Sequence, residues 1–93
     1  MITHEETGNH GACFYERDGD RLAAMTYSRT TPTLIIIDHT EVSEVLKGQG
    51  MGRQLLDALV AWARETGTKV TATCPYALGQ FRKDESIRDV FVG

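Results

Sequence analysis

Val42-Ser43-Glu44-Val45-Leu46-Lys47-Gly48-Gln49-Gly50-Met51-Gly52-Arg53, with an amphipathic run behind it to Glu65, decides the fold of this 93-residue chain. Glycines at 48, 50 and 52 strip side chains from the approach to a helix and from its first turn. The first N–H groups of a helix have no partner within it and lie at the positive end of its dipole, so this turn is suited to holding an anion. The helix is legible in its period. Met51, Leu55, Leu59, Trp62 and Ala63 fall on one stripe with Leu56 and Val60 beside it, while Arg53, Gln54, Asp57, Arg64 and Glu65 face away. Gly67 stands where a C-cap is expected. Trp62 is expected to contribute the most burial.

Upstream, Leu34-Ile35-Ile36-Ile37 opens a β-branched strand that runs through Asp38-His39-Thr40-Glu41 to Val42. Its continuous apolar start predicts coverage on both faces. Strict alternation sets Ile35, Ile37, His39 and Glu41 on one face, with Asp38 and Thr40 on the other. Before it, two alternating runs, 11–17 and 21–29, flank Asp18-Gly19-Asp20 and predict a hairpin. Residues 1–10 are polar and read as loose or as a weak first edge. Downstream, Lys69 to Cys74 reads as a strand ended by Pro75, and strand, helix, strand in that order place it parallel to its predecessor. Segments 77–83 and 85–91 read as short helices. The predicted order is three antiparallel strands, a helix, a fourth strand and a helical tail, an α+β class.

At 41% hydrophobic content the chain suits one compact domain over residues 1–93, because a chain of this length buries roughly 60–65% of its unfolded surface. A net charge of -3 argues against nucleic acid as the partner, since lysine and arginine dominate that affinity. No apolar run approaches the roughly 20 residues that span a bilayer, and Met1-Ile2-Thr3-His4-Glu5-Glu6 lacks a signal peptide's basic and apolar regions, so a cytoplasmic location without membrane contact is expected. Cys13 and Cys74 are accordingly expected as free thiols. His4, His10 and His39 have no metal-ligand spacing, and no metal is expected. A monomer is compatible with these residues.

Spacing discriminates among glycine-rich anion sites. The phosphate-binding loop of nucleotide hydrolases requires Lys-Ser/Thr after its last glycine, where this chain has Arg53-Gln54. The dinucleotide fingerprint G-x-G-x-x-G requires glycine at 53 or 55, where Arg53 and Leu55 stand. A third pattern, Arg/Gln-x-x-Gly-x-Gly/Ala, is matched by Lys47-Gly48-Gln49-Gly50-Met51-Gly52 with lysine in the first place. Together with the strand before it and the helix and strand after it, this resembles motif A of the GCN5-related N-acetyltransferases (GNAT). The resemblance covers residues 33–74 closely and most of the chain less specifically. More narrowly, His39-Thr40-Glu41-Val42, the Lys47-Gly48-x-Gly50 loop and Cys74-x-Tyr76 resemble the minimal, single-domain members of that superfamily.

The resemblance implies a GNAT-like mixed sheet, antiparallel strands followed by a βαβ unit with splayed parallel strands, shortened at both ends. It implies acetyl-coenzyme A as the cofactor and an amine acceptor, a small molecule or an exposed protein chain. The pyrophosphate would lie on the N–H groups of Gln49, Gly50, Met51, Gly52 and Arg53, with Gly48 also lining the cofactor and Lys47 and Arg53 adding charge. The pantetheine arm would pair with the strand edge at Thr40 to Val42, and the thioester would sit between Val42 and Cys74. For catalysis, Glu41 through water or His39 directly can serve as base, the two being neighbours about 7 Å apart along one strand. Cys74 can act as a nucleophile or fill the core. Many relatives place a tyrosine acid four residues beyond an alanine after the last strand. Here Ala77 is followed at that distance by Phe81, and Tyr76 is the nearest phenol. That substitution keeps open an alternative, a non-catalytic module that binds coenzyme A or an acyl-thioester as a sensor or adaptor.

Overall fold

Two-residue turns set the course of the sheet. In the computed structural model, which describes residues 2–93, β1 (Ile2–Thr7) and β2 (His10–Arg17) are joined at Gly8-Asn9. β2 and β3 (Asp20–Thr31) are joined at Asp18-Gly19, and β3 and β4 (Leu34–Val42) at Pro32-Thr33. Asp18 and Gly19 both adopt positive φ, 52° and 83°, the twist that a tight hairpin requires. Each turn sends the chain straight back, so the four strands meander antiparallel in sequence order. Of the two readings of the polar N-terminal stretch, the first edge is the one the described residues adopt. Ile2↔Tyr15 through Thr7↔His10 pair β1 to β2, and four antiparallel strands precede the helix rather than three.

After β4 come a short 3-10 helix (Glu44–Leu46), α1 (Met51–Thr66), β5 (Lys69–Ala72), α2 (Pro75–Lys83) and a second 3-10 segment (Glu85–Val90). β5 returns parallel to β4, pairing Leu34↔Lys69 to Ile37↔Ala72, and completes a five-stranded mixed sheet of the expected α+β class. No helix among the described residues is long and apolar enough to cross a membrane.

The core lies on one face of the sheet. Cys13, Ala23, Met25, Tyr27, Ile35, Ile37 and Val70 meet Leu55, Leu56, Leu59 and Ala63 of α1 and Ala77 and Phe81 of α2 in one cluster. Leu34 and Ile36 are half-exposed, so the helices cover one face and not two. Trp62 is also only half-buried. It sits at the rim of the helix stripe, with Tyr27 stacked on it at 5.7 Å and His4 edge-on at 4.5 Å, and the fully buried leucines carry the core instead.

A bulge in β4 overrides strict alternation. Tyr27 pairs with Ile37 but Thr26 pairs with His39, which leaves Asp38 as an extra residue. Residues directly opposite in an antiparallel pair share a face. His39 therefore joins Thr26 on the uncovered face, as does Glu41 opposite Ala24, while Thr40 opposite Met25 and Val42 opposite Ala23 turn to the helix side. Asp38 also points to the uncovered face, where its carboxylate accepts from Thr26 at 2.5 Å and from Ser28 at 3.1 Å. His39 and Glu41 share a face as expected, but it is the face opposite Ile35 and Ile37, and Asp38 lies with them.

Candidate active site

The glycine loop builds a helix start that no side chain among the described residues caps. Ser43 caps the short 3-10 helix by accepting from the Val45 N–H, and Gly48 and Gly50 then take φ of 80° and 67° to turn the chain into α1. These are left-handed conformations open to glycine at little cost. The Gln49 N–H donates to Leu46 O at 3.2 Å, and the Gln54 side chain donates to Gln49 O at 3.0 Å, which pins the loop to the helix. α1 has Gly50 as its N-cap, no side-chain cap and no acidic residue in its first turn. The N–H groups of Met51, Gly52 and Arg53 therefore end the helix without an intrahelical partner. A Cβ built on Gly48 or Gly50 would meet no atom within 4 Å, so the space in front of these donors is open.

Charge at this turn is arranged differently from what the sequence suggests. The Arg53 guanidinium donates to Asp57 at 2.8 Å, to Gln80 at 3.0 Å and to Asp84. It clasps α1 to α2, and these carboxylates raise its already high pKa further. Asp84 is held well below the usual carboxylate range by Ser86 and then by Arg53. Arg53 thus offers the open turn its N–H, with the charge neutralised elsewhere. Lys47 is exposed and has no ion-pair partner among the described residues.

Beside the loop the sheet opens. The Thr73 and Cys74 N–H groups both donate to Ile37 O, at 2.9 and 3.2 Å, and there β5 ends while β4 continues to Val42. The Ser43 N–H donates across to Leu22 O of β3, so backbone alternation turns the N–H and C=O groups of Val42 and Thr40 into the gap. This is a free parallel-strand edge ending at the uncapped helix. Cys74, 4% exposed, closes the inner end with its thiol 3.3 Å from the Thr40 hydroxyl. Tyr76, on the first turn of α2, lays its ring against the start of α1, where a Cβ on Gly52 would come within 3.1 Å of it. Burial pushes this phenol's pKa upward. His39 Nε2 lies 3.9 Å from Glu41 Oε2, and both side chains are largely solvent-exposed.

The structure thus brings Thr40, Val42 and Cys74 to one gap and the backbone of residues 48–53 to its mouth. His39 and Glu41 stand on the uncovered face beside the gap, so the gap is open from two sides. Phe81 is fully buried and stacked on Phe91 at 4.5 Å. Cys13 is core, its thiol pushed up to about 11 by burial. Sequence reasoning missed Asp38, because a bulge has no signature in an alternating pattern. It weighed Tyr76, but not the close approach of its ring to Gly52.

A strand with an open edge runs through a glycine turn into an uncapped helix start, the arrangement expected from the resemblance. The family model described as GCN5-related N-acetyl-transferase matches residues 12–90, and the chain belongs to that family. A GCN5-like protein from Staphylococcus aureus is similar at 36% identity over 98% of this chain and 88% of that one, with a TM-score of 0.73. The fold is shared with a ribosomal-protein-alanine N-acetyltransferase from Brucella melitensis, at 22% identity over 87% of this chain and TM-score 0.60. It is also shared with Tetrahymena GCN5, at 10% identity over 91% and TM-score 0.67. This chain spans 57% and 61% of those two chains. No curated protein matches it. Enzymes of the family transfer acyl groups from acetyl-coenzyme A.

Proposed function

We propose that this chain acetylates a primary amine with acetyl-coenzyme A, and the observation that carries this reading is the uncapped start of α1 lying next to the unpaired edge of β4. The backbone donors of Gly50 to Arg53 fit a pyrophosphate, with Lys47 adding screened charge, and the edge groups of Thr40 and Val42 fit the amides of a pantetheine arm. Bound acetyl-coenzyme A supplies an activated acetyl thioester. Thr40 and Val42 orient it in the gap, with Cys74 lining the inner wall. On the uncovered face, His39 takes the proton that the amine loses as its C–N bond forms and the C–S bond breaks, and the Glu41 carboxylate stabilises the resulting imidazolium. Tyr76, the nearest phenol along the chain, returns a proton to the departing thiolate.

Calorimetry with coenzyme A and acetyl-coenzyme A, followed by thiol release with a panel of amines, tests this. Binding with amine-dependent release is the expected result, and absence of binding at millimolar ligand overturns it. One observation favours the second reading, a coenzyme A-binding sensor or adaptor. Phe81, at the position where many relatives carry the acid, is sealed in the core and has no proton to give. Binding without release on any amine, and without acetyl-Cys74 by mass spectrometry, selects that reading.

A further inference from the structure

The far wall of the gap is not held by the sheet. β5 pairs with β4 only as far as Ala72, the Thr73 and Cys74 N–H groups share the Ile37 carbonyl, and the chain then enters α2 at Pro75. Cys74 is the N-cap of α2, with no side-chain cap bond, and Tyr76 stands in the first turn. Where this wall lies is therefore decided by where α2 lies.

Two stripes of α2 decide that. Ala77 and Phe81, four residues apart, are fully buried in the core. Their burial keeps the helix on the core but is non-directional, so it leaves the helix free to slide or roll. The neighbouring stripe is Tyr76, Gln80 and Asp84, whose spacing of i, i+4 and i+8 sets them along one side. All three meet two consecutive residues of α1. The Tyr76 ring lies against Gly52, where a Cβ would come within 3.1 Å of it, and Gln80 and Asp84 both accept from the Arg53 guanidinium.

Both ends of this clasp are themselves anchored. Arg53 Nε donates to Asp57, one turn further along α1, at 2.8 Å. Asp84 accepts from the Ser86 N–H at 2.9 Å and from the Ser86 hydroxyl at 2.6 Å. A planar guanidinium gripped at several of its donors sets the register that apolar contact leaves undefined.

We propose that the Arg53 side chain is a positioning residue, which through Asp84 and Gln80 holds α2 in the register that keeps Cys74 and Tyr76 at the gap. Its N–H group meanwhile belongs to the first turn of α1, so the turn and the far wall of the gap move as one unit. The clasp's effect on the wall is independent of the transferase reading, and its effect on turnover rests on that reading.

The chain carries its own probe and control, because Cys74 lies in the wall and Cys13 lies in the core beneath the sheet, both buried. Asp84→Asn keeps an acceptor for the Ser86 N–H and removes the charge that Arg53 grips, without altering the glycine turn. In native buffer without coenzyme, iodoacetamide labelling followed by mass spectrometry reads both thiols. Asp84→Asn should label Cys74 roughly fivefold faster than the wild type does, by local opening of α2, while the Cys13 rate stays the same. An equal rise at both thiols, which is global destabilisation, or no rise at Cys74 overturns the proposal. Arg53→Met should give the same selective rise, and the double variant should exceed neither single one, since both break one contact; additive effects overturn it. Calorimetry with coenzyme A should give Asp84→Asn an affinity within about twofold of the wild type, whereas a gain of about tenfold would make Arg53 a phosphate ligand that Asp84 withholds, and overturns the assignment. If neither protein binds coenzyme A, the cofactor reading fails and the labelling ratio still decides the clasp. In amine-dependent thiol release, kcat of Asp84→Asn should fall roughly fivefold with KM for acetyl-coenzyme A unchanged, and a fall confined to KM, or none, overturns the proposal.

Discussion

Gly50→Ala, set beside Gly67→Ala, tests whether the glycine loop is a binding device or only a turn. The two glycines have nearly the same conformation, φ 67° and ψ 28° at the start of α1 and φ 69° and ψ 23° at its end, and neither has an atom within 4 Å of a built Cβ. A left-handed conformation costs a non-glycine residue about 1–2 kcal/mol, so both variants should lose similar stability. For a chain this size that is a fall in Tm of roughly 4–16 °C. Their effects on ligand should part. Alanine at 50 strains the turn that aims the Met51, Gly52 and Arg53 N–H groups and puts a methyl in the open space before them. An anion at a helix start is worth about 0.3–2 kcal/mol, so the affinity for coenzyme A should fall roughly 2- to 30-fold. Gly67 is at the far end of the same helix, and its variant should bind as the wild type does. Thermal melts and calorimetry under one buffer measure both quantities. Equal loss of affinity in both variants, or undiminished affinity in Gly50→Ala, would refute the assignment of the loop as the cradle.

Three further outcomes follow from particular contacts. Gly11→Ala would place a Cβ 2.3–2.4 Å from the Tyr27 ring, so overpacking should cost about 1–3 kcal/mol by denaturant titration, and adding Tyr27→Leu should recover part of it. Burial lowers the pKa of His4 from its ordinary 6.5, with Glu6 opposing and Arg29 assisting. The unfolded chain then takes up that proton first, so stability should decline as pH falls through about 6.5, ahead of the carboxylates. His4→Phe keeps the packing on Trp62, and Tyr27 still donates to Glu6 at 2.7 Å, so the slope of Tm between pH 7.5 and 5 should flatten; an unchanged slope removes His4 as its source. Cys74→Ala should retain thiol release under direct transfer, whereas complete loss in a folded variant, with acetyl-Cys74 detected in the wild type, would establish an acyl-enzyme.

The glycine turn was legible because it is local. Gly48, Gly50 and the period from Met51 to Ala63 specify a turn, a helix start and a core-facing stripe within one short stretch, and the structure keeps all three. The face of His39 was not legible. Alternation placed it with Ile37, and the bulge at Asp38, which exists only because Thr26 pairs with His39 while Tyr27 pairs with Ile37, moved it to the other side. The charge of Arg53 was likewise reassigned, because Gln80 and Asp84 approach it only once α2 packs against α1.

By itself, the sequence determined the strand, glycine turn, helix and strand, and through them the family and its cofactor class, because these depend on periodicity and backbone freedom within short segments. Tertiary structure decided the rest. Where β5 stops against Ile37, how the bulge turns Asp38, His39 and Glu41 to the uncovered face, and that Arg53 rather than Lys47 is ion-paired are all set by pairing between distant strands and helices. A pattern read along one strand carries no information about the register of its neighbour, and here that register chooses the chemistry on each side of the gap.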